Sequence, residues 1–241
     1  MSTKIIFNNI NIPDFVKIIN INTQILPDLD IDIQKGIGEY KTYINSMAGK
    51  KITMDYKIKA TGLVTSEKIN IFAKWLKGEN FGVGKLILPN MAQEYYIAQV
   101  VNSVEIKSQI RAGVGTIEFI LINPYRIFEG LEFSGSGNLQ YYGDGESKPI
   151  LVISILQQCE EIKLNFNNVK YKNFIRLQGV FNKGQIITIN IKNKCITLDN
   201  KVTMSLLTLD SDFHTLITGD NIYSFNENLM TLKVIYNKYV F

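Results

Sequence analysis

Between residues 185 and 225 three runs of alternating apolar and polar residues follow one another, separated by turn-forming residues. Ile187, Ile189 and Ile191 fall on one side of an extended chain and Thr188 and Asn190 on the other, because successive strand side chains point to opposite faces. Lys192-Asn193-Lys194 turns the chain, Ile196 and Leu198 resume the apolar face, and Asp199-Asn200 turns it back. Asn adopts positive φ at low cost and bonds its own backbone, so both turns have a mechanism. After Val202 and Met204, Gly219, Asp220 and Asn221 form a further turn between apolar runs, and residues 232–236 finish the pattern. It predicts a meandering antiparallel sheet, a scaffold rather than a catalytic apparatus.

The first half carries similar signals. Short β-prone runs at 5–7, 10–12 and 16–21 are broken by Asn8-Asn9 and Pro13-Asp14. Residues 24–51 contain Pro27, alternating aspartates and three glycines with weak periodicity, so a long loop holding one strand is expected there. Loops of that length usually serve a function, which makes this one a candidate contact element. Ile52, Met54, Tyr56, Ile58 and Ala60 then alternate with Thr53, Asp55, Lys57 and Lys59, the cleanest period-two signal in the chain. A helix over about 66–77 is predicted by Ser66 as its cap, Glu67 in its first turn, and Ile69, Phe72, Ala73 and Leu76 at helical spacing. Lys74 and Lys77 favour its last turn and Gly78 stops it.

Further strands are expected at 86–88, 95–101, 104–107 and 116–122, the last ended by Asn123-Pro124-Tyr125. Ser134-Gly135-Ser136-Gly137-Asn138 is the most linker-like stretch and lies near the middle. The expected division is therefore 1–133, a β-rich domain with one helix, and 134–241, a second β domain. The fold class is mainly β (α+β). A chain of 241 residues with 46% hydrophobic content can build such cores without disulfide staples.

Charge narrows the partners. The net charge of +4 arises from interspersed basic and acidic residues, whereas a nucleic-acid reader concentrates its cations on one face. Two cysteines make neither a disulfide framework nor a four-ligand zinc site. No signal-like opening and no apolar run of about 18 residues is present, so synthesis in a cytoplasm without membrane insertion is expected.

Candidate chemistry is sparse. His214 is the single histidine, which removes every two-imidazole site, and no nucleophile-elbow motif accompanies it. Cys159 and Cys195 read as small core or strand residues. Asp28, Asp30, Asp32 and Glu39 occupy the first, third, fifth and twelfth places of a calcium-loop template. Ile33 stands where that loop needs glycine and no helices flank it, so a solvated acidic edge is the preferred reading. Gly82-Val83-Gly84, Gly113-Val114-Gly115 and Gly143-Asp144-Gly145 complete neither a dinucleotide fingerprint nor a P-loop and punctuate strands instead. No catalytic, cofactor-binding or metal residue is therefore assigned.

Several motifs, in their order and spacing, resemble the distal tail proteins of long-tailed, non-contractile bacteriophages. They are Gln34-Lys35-Gly36-Ile37-Gly38-Glu39-Tyr40 within residues 28–60, Trp75-Leu76 at the helix end, and Asn123-Pro124-Tyr125. The match continues through Gly143-Asp144-Gly145-Glu146-Ser147-Lys148-Pro149-Ile150, Asn182-Lys183-Gly184-Gln185 and residues 216–221. The resemblance implies an N-terminal β-rich domain with one helix and a C-terminal galectin-like β-sandwich. It further implies a homo-oligomer, a hexameric ring at the virion tail tip, with the tail tube protein and the tail-tip protein bearing the receptor-binding components as partners. DNA leaves through the channel that the N-terminal domains line, without sequence-specific contact, and no catalysis or cofactor is implied.

Heterologous contacts that close a ring need one surface of each copy to match a different surface of the next. Residues 24–51 and exposed edges of the 52–60 sheet are the expected suppliers. Two other readings compete. A module binding a host cell-wall saccharide through the second domain is weakened by the position of the only tryptophan, Trp75, in the helix of the first, and by the lack of room for an inserted sugar-binding module. A hydrolase is disfavoured by the poverty of acid, base and metal groups.

Overall fold

The computed structural model describes residues 5–24, 29–35, 40–47, 49–59, 64–78, 82–91, 93–101 and 112–241. The chain divides into two compact units between Arg126 and Ile127. That is a few residues ahead of the expected 133/134 division, because Phe133 lies inside a strand and the Ser-Gly stretch is a tight turn within the second unit.

In the first unit the elements are β1 (Ile6–Phe7), β2 (Ile10–Asn11), β3 (Val16–Thr23), β4 (Leu29–Lys35), β5 (Tyr40–Met47), β6 (Lys51–Lys59), α1 (Ser66–Lys77), β7 (Val83–Ile87), β8 (Glu94–Val100) and β9 (Ala112–Leu121). The strand expected at 104–107 lies outside the described residues. Asn8 and Asn9 take φ of 51° and 63° and set Phe7 opposite Ile10, the two-residue turn whose twist suits a hairpin. Seven strands pair antiparallel in the order β3-β6-β9-β8-β7-β1-β2. The two ends of this order, β2 and β3, are joined through only residues 12–15. Such a link reaches about 17 Å at most, whereas seven flat strands span about 29 Å. The sheet must therefore curl, and its inward face becomes a core.

β6 lines that core as its alternation predicts: Ile52, Met54, Tyr56 and Ile58 are buried and their neighbours are not. Helix α1 closes it with Phe72 and Trp75, whose rings stack at 5.9 Å. The helix cap is Thr65 rather than the expected Ser66; its side chain accepts from Lys68 N. Gly78 ends the helix at φ 57°, as expected. Ala73, placed on the apolar stripe by its spacing, is exposed, and Trp75, which the spacing left off that stripe, is buried instead. Trp75 Nε1 donates to Ile10 O at 3.0 Å, tying the helix to the first hairpin.

Gly115 faces Tyr56 across the β6–β9 pair. A Cβ there would sit 2.6 Å from the Tyr56 Cζ, inside a ring that is 2% exposed. Gly115→Ala is expected to lower first-unit stability by about 1–3 kcal/mol through overpacking, read as a drop in the denaturation midpoint without a change of slope.

The second unit contains β10 (Arg126–Ser134), β11 (Gly137–Tyr141), β12 (Ile150–Ile155), β13 (Cys159–Asn167), β14 (Lys172–Phe181), β15 (Ile186–Asn190), β16 (Cys195–Leu198), β17 (Lys201–Val202), β18 (Gly219–Ser224) and β19 (Met230–Val240). One layer runs β17-β16-β15-β12-β19-β10 and the other β11-β18-β13-β14. Ile153, Ile187, Ile189, Leu232 and Val234 of the first layer share one core with Leu164, Phe166, Leu177 and Tyr223 of the second. The result is a β-sandwich, and the protein as a whole is mainly β.

The predicted meander holds through β17. Asp199 and Asn200 take φ of 47° and 65°, a two-residue hairpin loop between Leu198 and Lys201. At the preceding turn the positive φ falls on Lys194, while Asn193 N donates to Asn190 Oδ1. Beyond Val202 the pattern misleads. Residues 219–221 begin strand β18 instead of turning, and β18 belongs to the opposite layer.

Candidate functional site

A surface that joins copies of one chain needs groups that the chain itself leaves unpaired, and sheet edges are the richest source. In the second unit the edge strand β14 is covered. Thr208 N donates to Arg176 O, Asp212 N to Phe174 O, and Ser211 Oγ accepts from Arg176 N at 2.9 Å. The loop is held by an ion pair from Arg176 to Asp210. This segment blocks the ladder that β14 would otherwise offer.

No such cover lies over β3 among the described residues. It is eight residues long, ends the seven-strand order, and pairs only with β6. A bulge between Ile18 and Asn20 leaves Ile19 60% exposed, an apolar side chain on an open edge. The adjacent Ile18-Ile19 pair, which breaks strict alternation, was the legible sign of this bulge. Beside the strand is a groove of about 650 Å³ lined by Ile5, Ile12, Pro13 and most of β3. The sequence pointed to exposed edges of the 52–60 sheet; β6 itself sits between β3 and β9, and β3 is an edge of that sheet.

Within 24–51 the described residues form two strands, where the sequence predicts a long loop with one. β4 and β5 pair antiparallel with each other as a separate two-stranded sheet, inserted between β3 and β6. Its base is closed where Gln24 N donates to Lys51 O and Lys51 N to Gln24 Oε1. Asp30 and Asp32 stand in β4, opposite Ser46 and Tyr43, in extended backbone rather than a calcium loop. Asp28 and Glu39 lie outside the described residues.

The other candidate groups are used internally. His214 is 1% exposed, its ring stacks on Phe166 at 3.7 Å, and its Nε2 shares a 3.1 Å hydrogen bond with the Tyr223 hydroxyl. Burial holds its pKa down to about 3 and pushes that of Tyr223 up. A base so enclosed reaches no substrate. Cys159 and Cys195 are free and half-buried in β13 and β16. The Gly143-Asp144-Gly145 turn anchors the last strand: Asp144 N donates to Tyr239 O and Tyr141 Oη donates to Gly145 O. Burial pushes the Tyr141 hydroxyl up to about 12, so it stays a donor at neutral pH. Among the described residues no group of three His, Cys, Asp or Glu side chains could hold a metal.

Residues 142–239 match the family model described as siphovirus-type tail component, C-terminal domain. No curated protein sequence matches the chain. SPP1 Dit, a structure described as a paradigm of hub adsorption apparatus in Gram-positive infecting phages, aligns at a TM-score of 0.78 and 11% identity, over 97% of this chain and 98% of that one. A chain of the phage p2 baseplate in its activated conformation with Ca aligns at 0.52 and 11% identity, over 97% of each. The Sr form of that baseplate gives 0.52 and 11% over 98% of this chain and 97% of that one. Identity this low shows shared fold, and the shared fold extends over both units. The protein therefore has the fold of SPP1 Dit along nearly its whole length, and its residues 142–239 are similar to the C-terminal domain of siphovirus-type tail components.

Proposed function

We propose that this protein is a structural hub at the tip of a long, non-contractile phage tail. Six copies close into a ring that joins the tail tube to the tail-tip protein and its host-binding components. Tail DNA leaves through the ring, which contributes no catalysis, and the chain is made in the host cytoplasm before assembly. The family match of the second unit and the fold shared with SPP1 Dit support a tail location.

The observation that carries the ring is the eight-residue edge of β3, left open beside the β4–β5 hairpin. The two are different surfaces of one copy, as a closing heterologous contact requires. Light scattering and negative-stain images of the purified full chain test the proposal. Particles of six chain masses with a central hole are expected. A chain that stays monomeric at high micromolar concentration, alone and with its tail-tip partner, overturns it.

Ile19→Lys puts a charge on the open edge and is expected to abolish the ring while leaving monomer stability within about 0.5 kcal/mol, since Ile19 is 60% exposed. Sedimentation velocity and thermal melts of the variant check both halves of this expectation.

A further inference from the structure

Strands β13 and β18 pair only where Asn165 to Asn167 face Ile222 to Ser224. Before Asn165, β13 continues along β14, whereas the chain after Ser224 turns away toward β19. The two diverge, and a cleft of about 420 Å³ opens between them. That volume falls within the range of about 300–1,000 Å³ typical of small-ligand clefts.

The lining is chemically mixed. Phe225 and Leu229 supply apolar surface. Around it stand Glu161, an acceptor when ionised, Lys163, a donor, and the amides of Asn165 and Asn226. Among the described residues neither Glu161 nor Lys163 forms a close ion pair; Lys163 Nζ lies over the Phe174 ring, at 4.6 Å from its centroid, and its charge also acts on Asp210. Asn165 Nδ2 reaches Ser224 O at a long 3.4 Å, and Asn226 Oδ1 accepts from Asn228 N, which leaves the Asn226 amide hydrogens unspent.

The Glu161 carboxylate and the Lys163 ammonium cancel in net charge across the lining, which favours neither an anion nor a cation. They suit a ligand that offers donors and acceptors side by side together with C–H surface. Neighbouring hydroxyls on a sugar ring do this. We propose that the cleft between β13 and residues 225–229 binds a neutral, hydroxyl-rich saccharide. The site needs neither the β3 edge nor a ring, so it goes beyond the hub proposal and stands or falls separately.

The test is an array of neutral oligosaccharides of glucose, galactose, rhamnose and N-acetylglucosamine, about three to six units long, with acidic glycans alongside. The full chain is probed beside Glu161→Ala, Lys163→Ala and Asn165→Ala, all solvent-facing positions. Wild-type binding to at least one neutral glycan, weakened about tenfold or more by two of the three variants at unchanged melting temperature, is the expected result. No neutral glycan bound, binding confined to acidic glycans, or binding that all three variants leave within about twofold overturns the site.

Discussion

Trp75→Ala is expected to cost the first unit about 3–5 kcal/mol, the largest single loss available there. Trp75 is 1% exposed, stacks on Phe72 and meets Phe7 edge-on at 6.0 Å. Its removal opens a cavity between α1 and the sheet and leaves Ile10 O without the indole donor. Because α1 has only 12 residues, it depends on that packing more than on its own propensity. Trp75→Phe should lose less, since the ring contacts survive and only the hydrogen bond and part of the volume disappear. Chemical denaturation followed by circular dichroism measures both. Equal losses in the two variants would show that the hydrogen bond, not the packing, holds the helix.

Acid should weaken the second unit through His214. The folded-state pKa of about 3 lies below the ordinary 6.5 because burial opposes the charged ring. Below pH 6.5 the unfolded chain takes up a proton that the native ring refuses until about pH 3. The unfolded state thus binds more protons over that window, and stability falls as pH falls, by about 1.4 kcal/mol per unit and on the order of 5 kcal/mol in all. Protonation would also require a second acceptor, and Nδ1 has no hydrogen-bond partner among the described residues.

Between pH 6.5 and 5 this slope belongs to the histidine, which is the only one in the chain. Glu146 is held below its ordinary range by Lys170, and Asp210 by the Thr208 hydroxyl, so both join only at lower pH. His214→Gln should flatten the pH 6.5–5 segment of the second-unit transition, whatever its effect on absolute stability. The fluorescence of Trp75, the sole tryptophan, reports the first unit and should lack that segment in both proteins. A wild-type transition independent of pH across this window would mean that the ring is solvated.

Much of the fold was legible because it rests on local rules. Alternation marked β6 residue by residue, and paired asparagine or aspartate residues marked the turns at Asn8-Asn9 and Asp199-Asn200, where positive φ is needed. Ser66, Glu67 and Gly78 marked α1 over 66–77, and only its cap, Thr65, lies one residue ahead of the expected one. The β4–β5 hairpin was hidden by Pro27 and the glycines around it, although Leu29, Ile31 and Ile33 alternate with Asp30 and Asp32 in the sequence. Burial of His214 was also hidden, since its neighbours Asp212 and Thr215 suggest a surface turn while Phe166 and Tyr223 arrive from distant strands.

The sequence by itself determined which residues extend, where the chain turns, which side of each strand is apolar, and that reactive constellations are scarce. All of these depend on neighbours a few positions apart, within reach of backbone sterics and side-chain period. Tertiary structure alone decided which strand pairs with which. It placed β18 in the opposite layer, β6 in the middle of its sheet and β3 at the open edge, and it parted β13 from the chain after Ser224. Strand partners are chosen by the joint burial of apolar faces across the whole unit, and a period of two says only that a strand has two faces.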